Sequence, residues 1–190
     1  MPEIAPLKIL SICGSLRKAS FNGGLQRALP ALAQPTLRIE ALDGVGALPL
    51  YDGDIEAADF PDPLQGMAEA IRAADGLVIC TPEYNNSVPG VLKNAIDWLS
   101  RVPQQPFSDK PVALQSASTG SYGGARCQLA LRPVLATLNA WVLNRPGVLV
   151  ANARVKFDEA TGDLRDEDTR QQIAKQLAAF ESFIRRLRPS

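Results

Sequence analysis

Apolar positions in this chain fall into short blocks separated by polar stretches rich in Gly and Pro, and the spacing within blocks alternates between two kinds. Leu7 to Cys13 (LKILSIC) is a compact apolar run that stops at Gly14, which reads as a strand buried on both faces. After the polar stretch GSLRKASFN, Leu25, Leu29 and Leu32 lie on one helical face. Pro30 sits inside that helix and, lacking a backbone donor, predicts a kink or an early end. Thr36 to Ala41 reads as a second strand, followed by a Gly- and Pro-rich stretch to Pro63. A helix over about Pro63 to Ala74 follows, with Leu64, Met67 and Ile71 on one side, and then a third buried strand, Gly76 to Cys80.

The second half repeats the pattern. The loop TPEYNNSVPG leads into a helix marked by Leu92, Ile96 and Leu99, with Pro89 near its start, where proline is favoured. Pro111 to Ser116 is a fourth strand and runs into SASTGSYGG; a helix from about Gly124 to Asn139 contains Pro133, again a predicted kink. Trp141 to Leu143 is a short fifth strand. The segment GVLVANARVKFDEATGDLRDED reads as extended chain with a turn at Thr161-Gly162. The last helix, capped by Asp166 or Asp168, carries Ile173, Leu177, Phe180, Ile184 and Leu187 as its stripe. Five strands alternating with five helices imply an α/β fold, a parallel sheet covered on both faces, as one domain over residues 1–190.

Composition narrows the chemistry. Lys plus Arg equals Asp plus Glu, 20 each, so no net field draws the chain to nucleic acid or an anionic membrane. No apolar run approaches the roughly 20 residues of a membrane helix. The start, Met1 to Pro6, lacks the apolar core of a signal peptide, which predicts a cytoplasmic protein. Cys13, Cys80 and Cys127 are scattered, which argues against a disulfide framework or a zinc site and for three buried packing residues. The chain has no histidine, which removes Ser-His-Asp and Cys-His catalysis together with His-ligated metals. The chemistry is therefore expected to come from a cofactor.

In an open parallel sheet, ligands bind beyond the carboxyl ends of the strands. Three elaborated loops leave those ends. In the first, GSLRKASFN, Ser15, Ser20 and Asn22 offer hydroxyl and amide donors and Arg17 a forked cation, with a helix beginning at once. Those parts suit a terminal phosphate, and Ser20 is compatible with a capping role as well. In the second, Pro82 stiffens the strand exit, Tyr84 presents a ring for stacking, and backbone around Glu83, Asn85 and Asn86 faces the edge of a planar heterocycle. Glu83 is expected in a salt bridge or a backbone cap and not as a general base. In the third, Ser116 and Ser118 are candidate donors to a ring carbonyl, and Gly120, Gly123 and Gly124 permit close approach. Three such loops on one edge suit a mononucleotide with a flat ring.

At these residues the chain resembles the NADPH-dependent FMN reductase family of the flavodoxin-like superfamily, and it is especially similar to bacterial quinone and chromate reductases. The matching segments are GSLRKASFN, TPEYNNSVPGVLKNAIDWLSR and GGARCQ, and the similarity spans about Lys8 to the final helix. The resemblance implies a flavodoxin-like three-layer sandwich with strand order 2-1-3-4-5, tightly bound FMN, and a homodimer or homotetramer. By it, Ser15, Arg17, Ser20 and Asn22, with Phe21 between them, hold the phosphate. Pro82, Glu83, Tyr84, Asn85 and Asn86 then line the isoalloxazine, and Ser118 approaches the pyrimidine rim, with Ser116 and Gly120 nearby. Asn86 departs from the aromatic residue or Gly of many relatives, which bears on how the flavin's outer edge is covered.

The implied activity is an NAD(P)H oxidoreductase that reduces quinones, azo compounds, free flavin or chromate by ping-pong hydride transfer. A flavodoxin-type electron carrier is the rival, disfavoured because such carriers are strongly acidic; a flavin-supplying partner of a monooxygenase is a third reading. The helix after the second loop is apolar over more than half its girth (Val91, Leu92, Ile96, Trp98, Leu99), which predicts a second subunit against it, with full burial inside the monomer as the alternative.

Overall fold

The computed structural model describes residues 5–187. The first four residues, on which the reading of the chain's start partly rests, lie outside them. The chain runs β1 (Leu7–Cys13), α1 (Phe21–Leu32), β2 (Leu37–Leu42), α2 (Gly53–Ala58), α3 (Asp62–Ala73), β3 (Gly76–Cys80) and α4 (Gly90–Leu99). It continues with β4 (Pro111–Ala117), α5 (Ala125–Thr137), β5 (Trp141–Val142), β6 (Val148–Val150), a 3-10 turn at Ala153–Val155, and α6 (Glu167–Leu187). All ladders are parallel and the order is β2-β1-β3-β4-β5, the arrangement expected.

Alternation along each strand sorts the core into two layers. Leu10, Ile12, Leu77, Ile79, Val112 and Leu114 face α3, α4 and α5. Leu7, Ile9, Val78, Cys80 and Ala113 face α1 and α6. The result is a three-layer sandwich. Asp166 caps α6 by accepting from the backbone N–H of Thr169 at 2.9 Å. α1 and α5 run through Pro30 and Pro133 to Leu32 and Thr137.

Three features differ from the sequence reading. The fifth place in the sheet is shared: β5 pairs with Pro111 and Val112 of β4, and β6, a sixth strand, pairs with Gln115 to Ala117 further along. Where the ladder breaks, the carbonyl of Leu114 accepts from Nε2 of Gln176 at 3.1 Å, so α6 satisfies the group the edge leaves over. Second, the Gly- and Pro-rich stretch before Pro63 holds the short α2, capped by Asp52, whose carboxylate accepts from Asp54 N–H at 2.9 Å.

Third, most of the apolar stripe of α4 is spent within the monomer, the alternative reading. Leu92, Ile96, Trp98 and Leu99 are all buried within the monomer. The segment before α2 covers them: Trp98 Nε1 donates to the Pro49 carbonyl at 2.8 Å, and the Tyr51 ring meets Trp98 edge-on at 5.1 Å. Of the expected stripe only Val91 is partly exposed.

Candidate cofactor site

A cavity of about 160 Å³ opens at the carboxyl edge of the sheet, lined by Ser15, Arg17, Ser20, Phe21, Asn22, Pro82, Glu83, Tyr84, Ala117, Ser118 and Thr119. It draws on all three loops singled out above.

The first loop delivers a helix start. Ser20 is extended and its Oγ accepts from Gly23 N–H at 3.3 Å, so it caps α1. Ser15 Oγ accepts from Arg17 N–H at 3.4 Å, a local turn that aims the loop. The Arg17 guanidinium lies 5.7 Å from the centre of the Phe21 ring, and among the described residues no carboxylate pairs with it. Asn22 is buried: its Nδ2 donates to the Ala117 carbonyl at 3.0 Å and its Oδ1 accepts from Ala117 N–H at 2.8 Å. Its side chain therefore ties the head of α1 to the exit of β4, in addition to lining the cavity.

The second loop is built around a two-residue hairpin. Tyr84 and Ser87 exchange backbone hydrogen bonds of 3.2 and 3.0 Å, and Asn85 and Asn86 between them have φ of 49° and 62°. Both central residues of such a turn need positive φ, which Asn and Gly tolerate best. That requirement is a backbone reason for Asn at position 86. Its Oδ1 accepts from Arg126 at 3.0 Å. Tyr84 is half exposed at the rim, as a loop ring free of the core should be.

Glu83 takes the capping role expected of it. Its Oε2 accepts from Cys127 N–H at 3.1 Å at the start of α5, and its Oε1 lies 3.5 Å from Arg126. The residue preceding α5, Gly124, has no side chain to cap with, so the second loop supplies the anion that the helix N-terminus favours. Glu83 is the one carboxylate among the lining residues, and both of its oxygens are engaged by α5.

The third loop is where the expectations need most correction. Ser116 is fully buried and does not reach the cavity: its Oγ donates to the Gly123 carbonyl at 2.6 Å and accepts from Gln128 Nε2 at 2.8 Å. Gly123 and Gly124 approach the protein's own chain. A Cβ on Gly123 would meet the Leu149–Val150 backbone at 2.7 Å, and one on Gly124 would meet Ser116 at 2.6 Å. Gly120 lies outside the lining, its N–H donating to Ser118 Oγ at 3.2 Å. Ser118 does line the cavity, joined by Ala117 and Thr119, which the sequence reading passed over. Arg126 was also missed; its i+3 distance from Gly123 in GGARCQ carries no sign of partners in the second loop.

The cysteines stay out of the chemistry. No disulfide forms, and burial pushes all three thiols up, so they are protonated at neutral pH. Cys13 departs from the expectation of full burial and is half-buried.

The profile of the NADPH-dependent FMN reductase family matches residues 7–155, which take in all three loops. A quinone reductase of Escherichia coli is 48% identical over 183 residues, covering 96% of this chain and 97% of that protein. An NAD(P)H-dependent FMN reductase of Pseudomonas aeruginosa is 46% identical over 182 residues, covering 96% and 97%. The chain belongs to the NADPH-dependent FMN reductase family. Among solved structures, the flavoenzyme NAD(P)H:(acceptor) oxidoreductase FerB of Paracoccus denitrificans superposes with a TM-score of 0.84 at 32% identity, covering 95% of this chain and 98% of that one.

The reductase is thus an oxidoreductase, with FMN as cofactor and NAD(P)H as reductant. The cavity fits a phosphorylated mononucleotide on its own terms. Helix N–H groups, hydroxyls and an Arg without a carboxylate meet at one end, and the sole lining carboxylate is already bonded at the other.

Proposed function

We propose that the reductase holds the FMN phosphate with Ser15, Arg17, Ser20 and the first backbone N–H groups of α1, and seats the ring against Pro82, Tyr84 and Ser118. Bound there, FMN supplies the two-electron redox chemistry, and the protein's part is orientation and electrostatics. Glu83 keeps the ring-side wall in register with α5, and Asn22 keeps the phosphate end in register with β4. The observation that carries this reading is the Arg17 guanidinium, which has no carboxylate partner among the described residues and stands beside a helix N-terminus.

Quinones are the acceptor class this reading favours, on the strength of the Escherichia coli relative. Three free cysteines and no disulfide suit the reducing cytoplasm, and no described helix is long and apolar enough to cross a membrane. A homodimer or homotetramer is expected, and with most of the α4 stripe buried its apolar contacts come from elsewhere. Leu129 and Leu149, both exposed, line one shallow groove and are the better candidates, which sedimentation of a Leu129→Glu variant tests.

Replacing Arg17 by Ala is expected to weaken FMN retention roughly tenfold or more, the size of a lost charge-assisted bond. Turnover of the flavin-loaded fraction with menadione should change far less. The check is the flavin absorbance of purified protein followed by NADPH oxidation at matched flavin; equal flavin content in both proteins would remove the phosphate assignment.

A further inference from the structure

A second cavity, about 370 Å³, adjoins the first. It is lined by Arg17, Phe21, Thr119, Arg154 and Glu159, and shares the first three with the cofactor cavity. Arg154 and Glu159 come from the chain after β6, far in sequence from the loops that make the flavin site.

The walls of this cavity are fixed from both sides. Ala153 N–H donates to the Ser118 carbonyl at 3.0 Å and Asn152 N–H to the Gly120 carbonyl at 3.2 Å, fastening the 3-10 turn that carries Arg154 to the third loop. Phe157 packs on Phe21 with ring centres 5.2 Å apart. Beyond it, residues 157–164 form a hairpin closed by the Phe157–Leu164 bridge and held to α1 by Arg27, which bonds Asp163 and the Thr161 carbonyl, each at 2.8 Å.

The charges are distributed unevenly around it. Nearby cations of this region are paired: Lys156 with Asp166, Arg165 with Asp158, Arg170 with Glu167 and Arg27 with Asp163. The side chains of Arg154 and Glu159 have no ion pair or hydrogen bond among the described residues. Arg17 likewise lacks a carboxylate. Two guanidinium groups, one hydroxyl and one carboxylate therefore line a single preformed cavity next to the flavin site without using one another.

We propose that this second cavity seats the 2′-phosphorylated ribose of NADPH, with Arg154 taking the phosphate and Glu159 accepting from the ribose 3′-hydroxyl, or from both hydroxyls when the nucleotide is NADH. An Arg accommodating a 2′-phosphate and an acid bonding the ribose diol is how dinucleotide sites in general tell the two nucleotides apart. Both groups in one cavity let the protein take either nucleotide and set the preference by their balance. The proposal rests on the first cavity being the FMN site, because contiguity with it is what brings the reductant here.

The test uses the purified holoenzyme with menadione as acceptor. Arg154→Ala is expected to raise KM for NADPH about tenfold, the loss of one charge-assisted bond, and KM for NADH less than about twofold. It should weaken inhibition by 2′,5′-ADP in parallel and leave bound flavin per chain as in the wild type. Glu159→Gln should move the ratio the other way, lowering KM for NADPH relative to NADH. An unchanged NADPH KM in Arg154→Ala would overturn the proposal, as would equal rises for both nucleotides, which place Arg154 on the diphosphate, or loss of flavin, which places it on FMN. Colourless wild-type protein that takes up no FMN would defeat the flavin reading itself, a result separate from all of these.

Discussion

The two arms of the flavin site are held in opposite ways. The ring-side loop after β3 is a local object: its hairpin closes on itself between Tyr84 and Ser87, and its long-range anchors, Glu83 and Asn86, both meet the first turn of α5. The phosphate-side loop after β1 has little structure of its own, a Ser15 turn and the Ser20 cap. Its shape depends on the hairpin at residues 157–164, more than 130 positions away. There the two backbones nearly touch: a Cβ on Gly24 would sit 1.8 Å from the Gly162 carbonyl oxygen, and one on Gly162, whose φ is +72°, would sit 2.7 Å from Ala19. An aromatic wall can thus be shaped by neighbours in sequence, whereas a phosphate grip needing open N–H groups is braced from outside.

That contrast is sharpest at Gly24. Gly24→Ala drives a methyl into backbone that cannot rotate away, an overpacking cost of about 1–3 kcal/mol. At roughly 2–4 °C per kcal/mol for a chain of this size, the melting temperature should fall by several degrees. FMN retention should fall with it, because the displaced hairpin releases Ala19 and Ser20. Thermal melting of apo and flavin-loaded protein checks both, and an unchanged melt would mean the interlock is looser than its geometry. At the other arm, Glu83→Ala removes a cap from α5 and is expected to cost about 1 kcal/mol. Glu83→Gln should recover much of that loss, since a carboxamide oxygen still accepts from Cys127. Failure of the Gln variant to recover anything would show that charge against Arg126, and not the cap, is what matters.

The same contrast explains what could be read from the chain in advance. TPEYNNSVPG declares itself as a loop, because Pro, Asn and Gly between two apolar blocks act over a few positions, and Glu83 was expected to cap or pair although its partner, the Cys127 N–H, lies 44 positions on. Ser20 as a cap and the parallel sheet were legible for similar reasons, the latter through the βα rhythm, while the strand order came from the family resemblance. Ser116 was not: β4 is buried on both faces, so no alternation of polar and apolar residues tells which side chains point at the cavity. The division of the fifth strand position between β5 and β6 was hidden because two- and three-residue pairings leave almost no pattern. The cover over Trp98 and the brace on α1 were hidden because each is a contact between segments with no shared spacing. Arg154 belongs to this last group.

The smallest effect belongs to the surface part of the brace. Arg27 and Asp163 pair at 2.7 Å with about half of each side chain exposed, so Arg27→Ala should shift the melting temperature only slightly at neutral pH and less in high salt. Its pH dependence has a definite sign. The hydrogen bond from Arg27, and after it that of Thr161, hold the Asp163 carboxyl below the usual range. A group depressed in this way contributes stability above the unfolded carboxylate value, about pH 4, and loses it as the pH falls through the folded one. Asp158 and Asp166 are depressed too, by Thr161 and Thr169 first of all, so the whole hairpin loosens in acid. Those two carboxyls are common to wild type and variant and cancel in the difference between them. The gap in melting temperature between wild type and Arg27→Ala should therefore be wider at about pH 7 than at about pH 2, where only the bond to the Thr161 carbonyl is left. A gap that stays constant across that range would assign the role of Arg27 to its bond with the Thr161 carbonyl alone, which does not titrate.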